Sequence, residues 1–226
     1  MVKVKVCGIG MVKVKVCGIT NLGDALAAVG AGADALGFNF YARSPRYVAP
    51  VEARRIVAEL PSSVLCVGVF VNEDSAATVE RMAGESGVAA VQLHGDEPPE
   101  YCAAFGGREV IKALRVGKDF APGQAAAYPV GSILLDAYNA RARGGTGETF
   151  DWTLARQTRE VVARLYLAGG LTPENVAGAI AAVRPYAVDV CSGVELAPGR
   201  KDATRVRAFV AAVRACEKNL DAKPPV

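Results

Sequence analysis

Short apolar runs alternate with amphipathic stretches along almost the whole chain. The runs are rich in Val, Ile and Leu and are bounded by glycine, proline or charged residues, which is typical of strands buried on both faces. Between the runs, apolar residues recur at helical spacing, as after Pro50, where Ala53, Ile56 and Leu60 share one face. The pattern predicts eight strands, at residues 12–17, 35–40, 64–71, 88–93, 110–114, 132–135, 165–168 and 187–191.

Each predicted strand is followed by a predicted helix. Thr20 is the predicted N-cap of the first helix, and Thr172 is that of the seventh, with Pro173 at the first helical position. Eight such units in 226 residues predict an α/β protein with a single (β/α)8 TIM barrel, a closed ring of parallel strands. A doubly wound open sheet is the alternative, but it would normally use fewer strands. The helices are predicted at residues 21–30, 50–60, 74–85, 98–105, 118–127, 152–163, 172–183 and 202–217.

The chain begins with a short tandem duplication. Residues 1–10 repeat residues 11–20 except at the last position, and the unit is too short and too isolated for a repeat architecture. We interpret residues 1–10 as an extraneous copy, residues 11–218 as the barrel and residues 219–226 as a disordered tail. The second copy joins strand to helix by a very short loop, so Cys17 is the predicted active thiol and Cys7 the alternative.

Composition and charge exclude several classes of function. Hydrophobic residues make up 51% of the chain, and the scattered Lys and Arg behind a net charge of +3 form no stripe for nucleic acid. No apolar run is long enough for a membrane span or a signal peptide, which predicts a cytoplasmic protein without a membrane partner. The six cysteines include no C-x-x-C pair, so we expect reduced thiols rather than a zinc site or disulfides.

Two reactive groups lie at predicted strand ends, which meet at one mouth of such a barrel. Cys17 ends the first strand and Asp136 ends the sixth, so a small substrate could lie between them. A thiol acts as a base once its thiolate is favoured, and a carboxyl group in a partly apolar mouth can stay protonated and act as an acid. Taken singly, a core cysteine and a helix-capping aspartate would be the simpler interpretation. Together at the mouth, they suit an isomerase.

Glycine-rich loops follow the last two strands and predict a phosphate site. Gly169 and Gly170 follow strand seven, and Ser192 and Gly193 follow strand eight, so their backbone N–H groups would surround one point. The alternative is that these glycines only permit tight turns. Each loop alone would be ambiguous, but the pair favours an anion.

Two further side chains are candidates with equally plausible structural roles. Arg46, in the loop after strand two, could hold a substrate carboxylate through a bidentate pair or could be a solvated surface residue. His94 is the single histidine, so any imidazole chemistry would occur there, although a packing or hydrogen-bonding role fits as well.

Six ordered motifs at the strand ends carry a family resemblance that spans nearly the whole chain. The chain resembles the phosphoribosylanthranilate isomerases of tryptophan biosynthesis. The motifs are residues 15–20 (KVCGIT), 44–47 (SPRY), 92–95 (QLHG), 135–136 with 144–147 and 150–152 (LD, GGTG and FDW), 167–171 (LAGGL), and 189–195 with 198–199 and 201–202 (DVCSGVE, PG and KD).

The resemblance implies the Amadori rearrangement of N-(5-phosphoribosyl)anthranilate to 1-(2-carboxyphenylamino)-1-deoxyribulose 5-phosphate, without metal or organic cofactor. Asp136 would be the general acid and Cys17 the general base, with Arg46 on the anthranilate carboxylate. The Gly-rich loops would bind the 5′-phosphate, and His94 and Asp189 would have supporting roles.

Several further expectations accompany the resemblance. The partner would be a small phosphorylated substrate, the chain would be a monomer or homodimer, and residues 144–147 would form a lid over the site. Cys191 departs from the serine expected there and is interpreted as a bystander near the phosphate loop.

Rival interpretations remain. An indole-glycerol-phosphate synthase would need a catalytic lysine and an extra N-terminal helix. A ribulose-phosphate epimerase would need metal ligands at several strand ends, and a single histidine makes that set poor. A non-catalytic barrel that binds a phosphorylated metabolite would tolerate loss of Cys17 and Asp136.

Overall fold

A closed ring of eight parallel strands forms the centre of the molecule, so the predicted barrel is confirmed. The computed structural model describes residues 11–105, 107–136 and 152–221, with side chains as far as residue 216. Predictions for residues 1–10, 144–147, 150–151 and 222–226 lie outside the described residues. The strands are β1 (Lys13–Cys17), β2 (Ala35–Asn39), β3 (Leu65–Phe70), β4 (Ala90–Leu93), β5 (Glu109–Arg115), β6 (Ser132–Asp136), β7 (Leu165–Ala168) and β8 (Ala187–Val190).

Helices surround this ring and bury its outer face. Residues that point outward from the strands form one large core with the helices, whereas Val67, Ile111, Leu134 and Tyr166 belong to a smaller cluster inside the barrel. None of the helices in the described part of the chain has both the length and the apolar character to span a membrane. The helices are α1 (Leu22–Ala31), α2 (Pro50–Ala58), α3 (Ala76–Ser86), α4 (Pro99–Cys102), α5 (Trp152–Arg159), α6 (Val176–Val183) and α7 (Ala203–Asp221).

The predicted N-cap at Thr20 is wrong, whereas Thr172 accepts a backbone hydrogen bond as an N-cap does. Asn21 caps α1 by accepting from the Asp24 N–H at 2.9 Å, because the Thr20 hydroxyl instead donates to the Gly199 carbonyl at 2.6 Å. Before α6, the Thr172 hydroxyl accepts from the Glu174 N–H at 3.3 Å, and the side-chain oxygen of Asn175 accepts in return from the Thr172 N–H at 2.8 Å. Only at the first helix does a neighbouring asparagine supply the acceptor that the threonine was expected to supply.

The fourth and fifth units depart most from the predicted helices. The predicted helix 98–105 is a single α-helical turn, and the predicted helix 118–127 is only a 3₁₀ helix over Pro122–Ala127. Pro122 and Gly123 lie inside the predicted helix 118–127, where both residue types disfavour α-helix.

A small hairpin after the eighth strand was not predicted. A short 3₁₀ turn, Ser192–Val194, leads into antiparallel strands β9 (Glu195–Ala197) and β10 (Arg200–Lys201). The last helix then runs through Asp221, so residues 219–221 of the predicted tail continue α7.

A buried ion pair joins β5 to the loop after β4. Lys112 alternates with the barrel-lining residues of its strand and therefore points outward, where its ammonium donates to Glu97 at 2.6 Å. Glu97 also accepts from the backbone N–H groups of Asn72 and Gly95 at 2.9 and 3.0 Å. The side chains of Lys112 and Glu97 are 1% and 2% exposed, so neither charge is solvated.

Lys112→Met is expected to lower the free energy of unfolding by about 3–5 kcal/mol, because it leaves the Glu97 carboxylate buried without its cation. Urea denaturation followed by circular dichroism measures the change. Arg55→Met is the matched control, since Arg55 forms an exposed pair with Glu52 and should change stability by under about 0.5 kcal/mol. Equal effects of the two substitutions would contradict the assignment of the Lys112 pair to stability.

Candidate active site

Cys17 is the last residue of β1 and is partly exposed at the carboxyl end of the barrel. Lys15 lies two residues earlier on the same inward face and is fully buried, with its ammonium 3.1 Å from the Asp189 carboxylate. Gly37 is the register partner of Cys17 on β2, and a Cβ there would come within 2.7 Å of the Cys17 sulfur. A glycine on the neighbouring strand therefore leaves the space that the thiol occupies.

Cys191, interpreted from the sequence as a bystander, is a direct neighbour of Cys17. Val16 pairs with Val190 in the parallel register of β1 and β8, so the two cysteines follow at adjacent positions. The Cys191 thiol donates to Glu195 Oε1 at 3.9 Å, and its sulfur lies 3.8 Å from the Lys201 ammonium. The mouth thus holds two thiols beside one cation.

This environment favours the thiolate of Cys17. The neighbouring Cys191 thiol, together with the charges of Lys15 and Lys201, outweighs burial and lowers the pKa of Cys17 well below its usual value. The neighbouring Cys17 thiol, with burial, raises the pKa of Cys191. Of the two thiols, Cys17 is therefore the one that loses its proton more easily.

Glu195 holds the two basic side chains nearest the thiols. Arg46 donates to it through Nε at 2.9 Å and Nη2 at 2.6 Å, and Lys201 donates at 2.8 Å. The Glu195 side chain is 4% exposed, and although burial opposes it, Arg46 and Lys201 lower its pKa. Two cations around one carboxylate leave a net positive charge beside Cys17.

Arg46 lies at the mouth, as the sequence predicts, but already has a carboxylate partner. Its Cδ would be 2.7 Å from a Cβ at Gly18, the residue after Cys17, so the arginine stem crosses directly over the β1 turn. Its bidentate partner is Glu195, and the Arg46 side chain is 23% exposed. A substrate carboxylate would therefore have to share the guanidinium with Glu195.

Asp189 of β8 is the register partner of Lys15 on β1 and forms an ion pair with it, one inward position before the two cysteines. Burial raises its pKa to about 7, although the Lys15 ammonium lowers it. The charge of Cys17 further raises the pKa of Asp189. Its position agrees with the supporting role expected for it.

Asp136 ends β6, facing the mouth on the same side of the strand as the barrel-lining Leu134. Its Oδ2 lies 3.3 Å from His94 Nε2, and the other ring nitrogen lies 2.7 Å from the side-chain amide nitrogen of Gln92. An amide nitrogen can only donate, so Nδ1 of His94 accepts and Nε2 carries the proton toward Asp136. His94 therefore orients the Asp136 carboxyl group, which is 26% exposed.

The two glycine-rich loops meet, as the sequence predicts. Gly169 and Gly170 have φ values of 89° and 68°, which favour glycine, and a Cβ at Gly170 would meet no atom within 4 Å. A Cβ at Gly193 would overlap the carbonyl oxygen of Leu171, so only glycine lets the β8 loop pack on the β7 loop. Ser192 is exposed at the start of its 3₁₀ turn.

Sequence reasoning missed the charged residues behind Cys17. Lys15 could have been found, because a lysine two residues before Cys17 on a strand must share its inward face. Glu195 and Lys201 were quoted only as motif letters, and nothing local indicates that Glu195 would contact Arg46, which is 149 residues away in sequence. Within the described residues, no group of three or more His, Cys, Asp or Glu is placed to hold a metal ion.

Comparison with known sequences agrees with the geometry. The family model described as N-(5'phosphoribosyl)anthranilate (PRA) isomerase matches residues 14–212. The chain is 54% identical over 215 residues to the N-(5'-phosphoribosyl)anthranilate isomerase of Geobacter metallireducens, covering 95% of this chain and all of the relative.

Comparison with solved structures gives the same result. The phosphoribosyl anthranilate isomerase of Thermotoga maritima superposes with a TM-score of 0.81 at 46% identity, covering 91% of this chain and all of the other. A phosphoribosyl anthranilate isomerase in complex with reduced 1-(o-carboxyphenylamino)-1-deoxyribulose 5-phosphate superposes with a TM-score of 0.78 at 45% identity, with the same coverage of both chains.

Proposed function

Because the chain belongs to the N-(5'-phosphoribosyl)anthranilate isomerase family, an isomerase family of tryptophan biosynthesis, we propose that Cys17 and Asp136 carry out its reaction. The reaction is the Amadori rearrangement of N-(5-phosphoribosyl)anthranilate to 1-(2-carboxyphenylamino)-1-deoxyribulose 5-phosphate. The observation that carries the proposal is the position of Cys17, close to the buried Lys15 and Lys201 side chains and on the same mouth as the Asp136 carboxyl group. One group can then remove a proton while the other supplies one.

Asp136 acts first, as the general acid. It donates a proton to the furanose ring oxygen, the bond between that oxygen and C1 breaks, and the anthranilate nitrogen forms a Schiff base with C1. The contact with His94 Nε2 at 3.3 Å supports this role, because it orients the carboxyl group at the mouth of the barrel.

Cys17 acts second, as the general base. Its thiolate removes the proton from C2, and the electron pair moves into the C1–C2 bond to give an enolamine and a neutral thiol. Tautomerisation of the enolamine to the ketone completes an isomerisation in which no external oxidant or reductant takes part. The nearby charges of Lys15 and Lys201 support the thiolate as the resting form of the base.

Substrate binding is proposed for the groups around this pair. The loops at Gly169–Gly170 and Ser192–Gly193 would bind the 5′-phosphate through backbone N–H groups. Arg46 would bind the anthranilate carboxylate while keeping part of its pairing with Glu195. The bound reduced product in the related structure supports a small ligand that carries both phosphate and carboxylate groups.

The oligomeric state and the cellular location of the protein are further proposals. One solved relative consists of monomers generated from the dimeric isomerase of Thermotoga maritima, which supports the expectation of a monomer or a homodimer here. A cytoplasmic location, without a nucleic-acid or membrane partner, remains the proposal made from composition.

The purified protein is expected to consume phosphoribosylanthranilate, which we would follow as loss of the substrate's fluorescence. The reaction should proceed in the presence of a metal chelator, because general acid-base catalysis by two side chains needs no metal. Binding of the reduced product without any turnover would contradict the proposal and would favour the non-catalytic phosphometabolite-binding barrel.

A further inference from the structure

Building on the proposed role of Asp136 as the general acid, we infer that Gln92 is a positioning residue for it. The side-chain amide of Gln92 donates to Nδ1 of His94 and so fixes the tautomer whose Nε2–H faces Asp136. Gln92 touches no reacting atom in this scheme, because the imidazole ring lies between the amide and the carboxyl group. It acts only through that ring.

The Gln92 amide reaches the ring from inside the barrel. Ala90 of β4 lines the barrel interior, and Gln92 follows two residues later on the same strand, so its side chain points inward as well. Gln92 is fully buried, and its Nε2 lies 2.7 Å from His94 Nδ1. Because the amide is buried, solvent does not compete with this hydrogen bond.

The backbone that carries the His94 ring is held on both sides. The His94 N–H donates to the Phe70 carbonyl at 2.8 Å, and the Gly95 N–H donates to the Glu97 carboxylate at 3.0 Å. The ring therefore extends from a fixed stretch of backbone at the end of β4. What remains to be set is which of its two nitrogens carries the proton.

The orientation of the Gln92 amide follows from what it leaves unpaired. Its Oε1 is buried and has no hydrogen-bond partner among the described residues. Turning the amide over would place Nε2 at that position and bury two N–H groups without acceptors. Buried N–H groups without a partner are rarer than under-satisfied carbonyl oxygens, so Nε2 is the atom that faces His94.

The tautomer of His94 decides whether Asp136 keeps its proton for the substrate. With the proton on Nε2, the ring donates to Asp136 Oδ2 at 3.3 Å and cannot accept from it. With the proton on Nδ1, the bare Nε2 would accept the carboxyl proton and leave an imidazolium beside a carboxylate. The proton would then no longer be available on Asp136, so only the first tautomer suits the general acid.

Nitrogen NMR of the single histidine tests the inference directly. Selective nitrogen-15 labelling of histidine in the untagged protein labels one imidazole ring, so the signals belong to His94 alone. A ring nitrogen that carries a proton resonates far upfield of one that does not, and Nε2 is recognised by its couplings to both ring C–H protons. At about pH 8.5, where free imidazole is neutral, the parental protein should show the proton on Nε2.

Gln92→Met removes the donor and keeps a side chain of similar length. The nitrogen spectrum is expected to change to a mixture of the two tautomers. We expect kcat to fall about tenfold with KM little changed, because the ring loses one hydrogen bond and no substrate contact. Gln157→Met is the matched control, since the same change on the exposed side of α5 should alter neither the spectrum nor kcat.

Gln92→Glu reverses the contact at Nδ1. A carboxylate can only accept there, so this variant is expected to place a proton on Nδ1 and to lower kcat at least as much as Gln92→Met does. Circular dichroism establishes that each variant is folded. The parental spectrum tests the tautomer even if a variant fails to fold.

Two results would overturn the inference. One is a proton on Nδ1 rather than Nε2 in the parental protein. The other is an unchanged nitrogen spectrum in a folded Gln92→Met variant, in which case any fall in kcat would indicate packing alone. If the parental protein lacks turnover, the proposed function fails, whereas the spectra still decide whether Gln92 sets the tautomer of His94.

Discussion

Replacing Cys17 with serine is expected to lower kcat for phosphoribosylanthranilate by at least about 10²-fold. A hydroxyl group fits the space beside Gly37, but Lys15 and Lys201 cannot convert it to an anion near neutral pH as they do the thiol. Binding should survive, because the phosphate loops and Arg46 are unaltered. Steady-state fluorescence assays give kcat, and calorimetry with the reduced product gives the affinity.

Cys7→Ser is the matched control and should be nearly silent, since the second copy of the duplicated segment supplies β1. A dead Cys7→Ser variant beside an active Cys17→Ser variant would mean that the first copy provides the base. In the parental enzyme, deprotonation of Cys17 creates the base, so kcat/KM should rise with pH. Because the pKa of Cys17 is lowered, that rise should end below the ordinary thiol value of about 8.5.

Asp136→Asn is expected to lower kcat by a similar factor, at least about 10²-fold, with the affinity for the reduced product retained. The amide oxygen can still accept from His94 Nε2, so the local geometry should persist. An amide cannot supply the proton that opens the furanose ring. Single-turnover fluorescence measurements would show the loss in the chemical step rather than in binding.

Asp96→Asn provides the comparison for this substitution. Asp96 is exposed in the loop after β4 and accepts only at the rim, from Asn72, so its replacement should leave kcat near the parental value. Unimpaired turnover in Asp136→Asn would remove Asp136 as the acid. In that case His94, which lies beside it, would become the candidate proton donor.

The fold was predictable because its signals are local and repeated. Each barrel strand is a short apolar run, and each run is separated from the next by a stretch long enough to cross back over the sheet. Failures occur where side chains compete for one role. Thr20 fits an N-cap as well as Asn21 does, and only the nearby Gly199 carbonyl decides that the threonine donates elsewhere.

The candidate site was predictable at its two reactive ends and in its glycine loops. Cys17 and Asp136 stand at strand ends that any parallel barrel brings to one mouth. The position of Cys191 beside Cys17 was not predicted, because the two residues come from β8 and β1, at opposite ends of the chain. Arg46 was predicted either to hold a substrate carboxylate or to be a solvated surface residue, and neither interpretation included Glu195 of β9 as its partner.

The amino-acid sequence by itself determined the period of the strands, the closed ring and the residues that end each strand, because these follow from local patterns and from how parallel strands connect. Only the tertiary structure decided which groups set the chemistry of Cys17. The register of β1 against β8 brings Cys191 beside it, and the hairpin after β8 brings Lys201 and Glu195. Hydrogen bonds and close ion pairs act over a few ångströms, so the pKa of one thiol depends on contacts that sequence distance does not reveal.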